Sequence, residues 1–162
     1  GGGPHTPTYM ETRLNFGQYV KDAAVNGDSR EYLASQMCMD MNAVGHWAEE
    51  NGVTYTSYAE LSQRPEVYAL IEGVIRHVNG LLPPGLAIRR FVNLPKEFDP
   101  DDGEVPRTRK LRRNVIDERY AAAIAALYDG TSSVEHSARI TYETSATGTF
   151  DRKLTIKDIK GA

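Results

Sequence analysis

Five cations, Arg107, Arg109, Lys110, Arg112 and Arg113, fall within the eleven residues Gly103 to Arg113 of a chain whose net charge is -3. Cations at this density attract phosphate, whether in a nucleic acid, at a membrane surface or on a small molecule; such a run is also an ordinary solvated face. A pI near 5.8 argues against a dedicated DNA-binding domain. No aromatic residue is interleaved between Arg107 and Arg113, as a surface that stacks bases would require. The second feature is the glycine run at Gly1 and Gly2, where backbone without side chains approaches a thin ligand closely, or simply makes a flexible linker end. By spacing alone, Lys110 is one of several surface cations.

The other reactive residue types point to structure. Neither G-x-x-x-x-G-K-[ST] nor G-x-G-x-x-G occurs. The four His and the single Cys38 lack metal-ligand spacing. Asp99, Asp101 and Asp102 do not form the EF-hand pattern and read as a solvated turn. His77 sits beside Val78 on a helix, off its apolar centre, which is a surface or boundary position. His136 falls on the inward side of a strand, where half-buried packing competes with chemistry. Cys38, between Met37 and Met39, reads as a small buried hydrophobe. No metal site and no self-contained active site is visible.

These groups must be positioned by a chain of 162 residues, with 40% hydrophobic and 25% charged content, the size of one domain or a little more. It needs no staple, and one Cys cannot make an internal disulfide. No apolar run reaches the ~18 residues of a membrane span, and no signal peptide is seen. The first residue is Gly rather than Met, which suggests a fragment or a processed chain. Thr8 is expected to cap a helix over Tyr9 to Phe16, with Glu11 as its capping-box partner. Two paired strands follow, from Tyr19 to the Asn26-Gly27-Asp28 turn and over Glu31 to Asp40. Asp40 caps a helix through Glu49 that buries Val44, Trp47 and Ala48 and ends at Gly52. Pro65 opens the clearest helix, with Val67, Leu70, Ile71, Val74, Ile75 and Val78 on one face, extended by Leu81 and Leu82. Ala87 to Leu94 is a strand, and a Pro/Asp/Gly-rich loop carries the basic run. A helix from about Arg112 to Tyr128 turns Ile116, Tyr120, Ala123, Ile124 and Leu127 inward and ends near Gly130. Alternation over Val134 to Tyr142 and Phe150 to Ile156 predicts a hairpin. The order predicts an α+β fold, a short sheet with hairpins flanked by three or four helices.

The segment Gly103 to Gly130, GEVPRTRKLRRNVIDERYAAAIAALYDG, resembles the final signature of the AMP-forming acyl-CoA synthetases, in particular the long-chain fatty acyl-CoA synthetase branch of the adenylate-forming superfamily. Thr108, Lys110, Arg112, Arg113, Arg119 and Tyr120 fall in register with it. RRFVNLPKEFDPDDGE and WAEENGVTYTSYAELSQRPEV are similar to other blocks of that branch. In the opening stretch Gly1, Gly2, Pro7, Glu11, Tyr19, Val20, Ala23, Val25, Gly27 and Asp28 match. Pro106 and Arg107 depart from the usual Thr and Pro, as do Asn114 and His5 at their positions; none of these touches the register of Lys110. The resemblance covers nearly the whole chain.

It implies that residues 1–162 are the small C-terminal domain of a larger enzyme whose N-terminal domain, with the phosphate loop and the adenine and acyl pockets, is not in this sequence. A carboxylate, from a fatty or other carboxylic acid, attacks the α-phosphate of ATP, and the CoA thiol then displaces AMP from the acyl-adenylate. Lys110 is implied as the catalytic residue of the first step, a compact ammonium between two anions on a loop that moves as the domain turns. Gly1 and Gly2 are implied to line the pantetheine channel of the second. ATP, CoA and Mg2+ are implied for the full-length enzyme, with none bound to this piece, which alone is expected to be inactive. Its partners would be the large domain and the acid, not nucleic acid; the location implied is cytoplasmic, with peripheral membrane association left open. Two other readings compete: a stand-alone module binding an anionic ligand or a protein, and an adenylating enzyme with an acyl acceptor other than CoA.

Overall fold

The computed structural model describes residues 10–11, 13–14, 17–27, 31–82, 86–98, 113–141 and 147–160. Strands β1 (Val20–Asn26) and β2 (Leu33–Met39) pair antiparallel, with Ala23 opposite Met37 and Val25 opposite Ser35. The chain then crosses over through α1 (Met41–Glu50), α2 (Tyr58–Ser62) and α3 (Pro65–Asn79) to β3 (Ile88–Asn93), which lies parallel to β2. After α4 (Arg113–Arg119) and α5 (Ala121–Tyr128), β4 (Ser133–Thr141) and β5 (Thr147–Asp158) form the expected hairpin. The end of β5 pairs with β3, giving one sheet in the order β1-β2-β3-β5-β4. The α+β expectation is met.

Both faces of this sheet are covered, so Asp22, Ala23, Ala24 and Val25 are buried in succession. A half-exposed strand would alternate instead. On the first face Met10, Leu14, Val25, Met37, Ile71, Ile75 and Phe91 form one core. Asp40 starts α1 as predicted, its carboxylate accepting from the Ala43 N–H at 3.0 Å, and Gly52 follows the helix at φ +70°. Val44 and Ala48 are buried there; Trp47 is only half-buried. Pro65 begins α3, and Val67, Tyr68, Ile71, Ile75 and Val78 face the core, with Leu70 and Val74 on its margin. The helix stops at Gly80, so Leu81 and Leu82 do not extend it, and Leu81 is 58% exposed.

On the second face Ala24, Ala34, Cys38, Val92, Ile116, Tyr120, Ala123, Leu127 and Leu154 form the other core. The single helix expected to Tyr128 is bent into α4 and α5. Tyr120, at φ −110° and ψ 27°, is the bend, although its N–H still reaches the Ile116 carbonyl at 2.9 Å. Its ring lies 5.1 Å from that of His136 and 6.3 Å from that of Phe98. Aromatic packing on two sides therefore sets the backbone where periodicity alone would run straight on.

Candidate functional site

Lys110, Gly1 and Gly2 lie outside the described residues, as do Arg107, Thr108, Arg109, Arg112 and the three aspartates at 99, 101 and 102. What the structure describes is the framework that brackets them. The basic segment is bracketed on the second face. Before it, the Leu94 N–H donates to the Met37 carbonyl at 2.8 Å, and the Cys38 thiol donates to the Lys96 carbonyl at 3.5 Å. Phe98 is buried. After it, Ile116 and Tyr120 enter the same core as Phe98. Both ends of the segment are thus pinned to one side of the sheet.

Acidic groups accompany the departure point. Glu97 pairs with Lys21 at 3.0 Å, and the buried Asp22 sits opposite Cys38. Burial pushes the Tyr58 phenol far up, with Cys38, Glu97, Tyr120 and Asp22 raising it further. Its hydroxyl donates to the Met39 carbonyl at 3.0 Å and so acts as a fixed donor, not as a proton-transfer group. Arg119 is exposed in the last turn of α4, where a cation suits the helix dipole.

The glycine segment leads into the first face. Met10 and Leu14 are fully buried among α1 and α3 residues. Glu11 was expected to serve Thr8, which lies outside the described residues; its carboxylate accepts from the Val25 N–H at 2.7 Å. That bond ties the helical residues to the edge strand of the sheet. At Gly17 a Cβ would come within 2.8 Å of a Val74 methyl, so any larger residue would have to displace that side chain for this turn to settle on α3. The framework therefore anchors the two candidate segments through opposite faces of one sheet and does not bring their anchors into a common cleft.

The plain readings of the remaining residues hold. Cys38 is fully buried, His77 is exposed, and His136 stacks on Tyr120. Among the described residues no group of three His, Cys, Asp or Glu is placed to hold a metal, and no helix is long and apolar enough to cross a membrane. One residue escaped sequence reasoning. Arg90, 7% exposed, donates from Nη1 to the carbonyls of Ala126 (2.9 Å) and Leu127 (3.1 Å), and from Nη2 to that of Thr131. Its Nε stands 2.9 Å from Asp158 Oδ1, an ion pair without hydrogen-bond geometry. The available signal was two adjacent arginines in a strand, since one of such a pair must face inward.

No model of a known protein family matches the chain. The chain is 29% identical over 130 residues to the long-chain-fatty-acid–CoA ligase FadD15 of Mycobacterium tuberculosis, covering 80% of this chain and 22% of that one. It is 34% identical over 102 residues to a protein of the same organism named as a fatty-acid–CoA ligase, fadD11, covering 63% and 18%. The chain thus spans about a fifth of the length of the curated relatives it matches. Among solved structures, the adenylation domain of a carboxylate reductase from Mycobacterium chelonae aligns at TM-score 0.57 and 22% identity, over 75% of this chain and 17% of that one. The adenylation–carrier didomain of a carboxylic acid reductase from Segniliparus rugosus, in complex with AMP, aligns at 0.58 and 16%, over 77% and 16%. At those identities the likeness is one of fold.

Proposed function

We propose that the chain works as the mobile C-terminal domain of an AMP-forming acyl-CoA ligase, charging a fatty or other carboxylic acid with ATP and passing the acyl group to CoA. The observation that carries this reading is the 29% identity to FadD15 across 80% of the chain. The fold shared with adenylation domains supports it. The names of the relatives support CoA as the acceptor in this reading. Magnesium, ATP and most of the acid's contacts fall to the larger part of the enzyme.

Within that reading Lys110 is the catalytic residue of adenylation. A carboxylate and a phosphate repel each other as they approach, and an ammonium between them lowers that cost while stabilising charge on the phosphoryl oxygens. Gly1 and Gly2 line the path of the pantetheine arm in the second half-reaction, where absent side chains leave room for a thin ligand. The anchors of the two segments, Met10 and Leu14 on one face of the sheet and Phe98 and Ile116 on the other, support this division, since a turn of the domain would exchange what the two faces present.

Half-reaction assays on the full-length enzyme test this. Lys110→Ala is expected to slow acyl-adenylate formation about a hundredfold or more, the loss that one focused electrostatic contact typically brings. Thioester formation from supplied acyl-adenylate should change little. Lys110→Arg should rescue poorly, because a planar fork directs its donors differently. Equal losses in both half-reactions with an unchanged melt would remove Lys110 from the adenylation role.

A further inference from the structure

Arg89 and Arg90 are neighbours in β3, and neighbours in a regular strand point to opposite faces. Here both line one cavity of about 340 Å³, together with Tyr32, Gly130, Asp158 and Ile159. The strand register gives the reason. Leu33 pairs with Ile88 and Ala34 with Arg90, so Arg89 is the extra residue of a β-bulge, a device that re-aims a side chain. The Ile159 N–H donates to the Arg89 carbonyl at 2.8 Å and fixes the bulge. The exposed Arg89 guanidinium lies 6.0 Å from the centroid of the Tyr32 ring. That ring is itself held, by its hydroxyl on the Leu127 carbonyl and by the Tyr128 ring at 4.9 Å. Among the described residues no carboxylate pairs with Arg89. Arg90 is 7% exposed, and its buried Nε–H makes no hydrogen bond. The cavity thus offers one open guanidinium fork on a fixed platform and one buried, unmatched donor.

We propose that this cavity binds a phosphate group that carries a proton, on free phosphate or on a phosphate monoester. A carboxylate has two oxygens; the Arg89 fork takes both, and the Arg90 Nε–H stays unmatched. A phosphate group sets two oxygens on the fork and a third on Arg90. Asp158 selects further: its side chain is 71% exposed and its Oδ1 stands 2.9 Å from Arg90 Nε. A bare anion is repelled by that carboxylate, whereas a P–OH donates to it. Gly130, at φ +81° and with nothing within 4 Å of a Cβ built on it, leaves its side of the cavity open. The site stands at the start of β3, while the stretch leading to the basic segment leaves from the end of that strand. It does not rest on the adenylation chemistry proposed above.

The test is a titration of the 162-residue chain with inorganic phosphate, glycerol 1-phosphate and sulfate, followed by amide-resolved NMR at constant ionic strength. The pH is 6, where a monoester is about half protonated and sulfate, of the same shape, carries no proton. Saturable shifts are expected at Tyr32, Arg89, Gly130 and Ile159 with the phosphates, and sulfate should bind about tenfold more weakly, the loss of one charged hydrogen bond. The tighter of the two phosphates names the source. Arg89→Gln, at an exposed position, should weaken inorganic phosphate about tenfold for the same reason. Asp158→Asn, also exposed, should bring sulfate level with phosphate. The proposal is overturned by absent or non-saturating shifts, by equal binding of phosphate and sulfate in the parent chain, by an Arg89→Gln variant that binds unchanged, or by discrimination that survives Asp158→Asn. Shifts confined to Gly103 to Arg113 would overturn it too, since the basic segment would then be the anion site.

Discussion

Leu14, Ile71, Ile75 and Phe91 fill the first face of the sheet with large side chains, whereas on the second Ala24, Ala34, Ala123 and Ala126 stand between large groups such as Phe98, Tyr120 and Leu127. Large branched and aromatic groups bury much area and hold helices that carry their own start signals, Asp40 and Pro65. Alanines bring backbones close, and the second face also carries polar ties. Arg90 binds three carbonyls at the end of α5 and in the turn after it. The Tyr128 hydroxyl is shared between the carbonyls of Asn26 (2.9 Å) and Tyr32 (3.2 Å), and the Tyr32 hydroxyl donates to Leu127. Burial is non-directional and hydrogen bonds are directional, so the apolar cores stabilise the sheet while polar ties set its register, on the second face through Arg90 and Tyr128 and on the first through Tyr68 to the Thr155 carbonyl and Asn79 to Ile88. In the proposed enzyme the second face anchors the segment that bears Lys110, where a small displacement costs rate.

Two substitutions would break or sharpen this contrast. The larger effect belongs to Ile71→Ala, which should cost roughly 3–4 kcal/mol, within the range for truncating a fully buried aliphatic side chain. It should lower the urea midpoint of the whole chain, and a loss under about 1 kcal/mol would contradict the weight given to the first face. Arg90→Met keeps the bulk but removes the donors, leaving carbonyls at the end of α5 without them. About 2–3 kcal/mol is expected, from charge-assisted bonds to backbone. The exposed partner Asp158 adds little of this. Hydrogen exchange separates the two faces: Arg90→Met should speed exchange in α5 and β4 while α3 stays protected. Uniform acceleration would show that the faces are not distinct. Arg90→Lys should recover less than half, since one ammonium cannot span three carbonyls.

How far the sequence reveals the fold follows the same division. On the first face the Asp40 cap, the Pro65 start and the spacing from Val67 to Val78 all state locally what the structure does. Leu81 and Leu82 fit the spacing but lie past Gly80, where the helix has already ended. Helix α2 was missed because five residues carry no period. Its signal was the pairing of Ser57 and Glu60, whose hydroxyl accepts from the Glu60 N–H at 3.1 Å while the Glu60 carboxylate takes the Thr56 hydroxyl at 2.6 Å. On the second face the inward residues Ile116, Tyr120, Ala123, Ile124 and Leu127 were legible, but the bend at Tyr120 was not. Its causes, Phe98 and His136, are distant in sequence. The parallel pairing of β2 with β3 and the return of β5 to β3 are likewise products of packing. The candidate site stands furthest from physics: Lys110, Gly1 and Gly2 were marked by resemblance, because one cation among five and a glycine run have many uses.

The smallest expected effect tests whether the turn that receives Arg90 is itself a polar construction. Asp129 precedes Gly130, which sits at φ +81°, and its carboxylate accepts from the Thr131 N–H at 2.8 Å. The bonds from Thr131, the side-chain one first and the backbone one next, hold the Asp129 carboxyl below its usual range, with Arg90 adding a minor pull. A carboxyl whose pKa is depressed on folding contributes stability that is complete above its unfolded value and lost as pH falls through its folded value. Acid in that window should therefore loosen the turn that presents the Thr131 carbonyl to Arg90, on the second face and not the first. A carbon-detected NMR titration should place the Asp129 midpoint below that of an ordinary aspartate, about 3.9. Thr131→Ala removes the first of the two bonds and should move the midpoint up while leaving the amide bond in place. A midpoint already at the ordinary value in the parent chain would show that the turn is held by its glycine and by Arg90 alone.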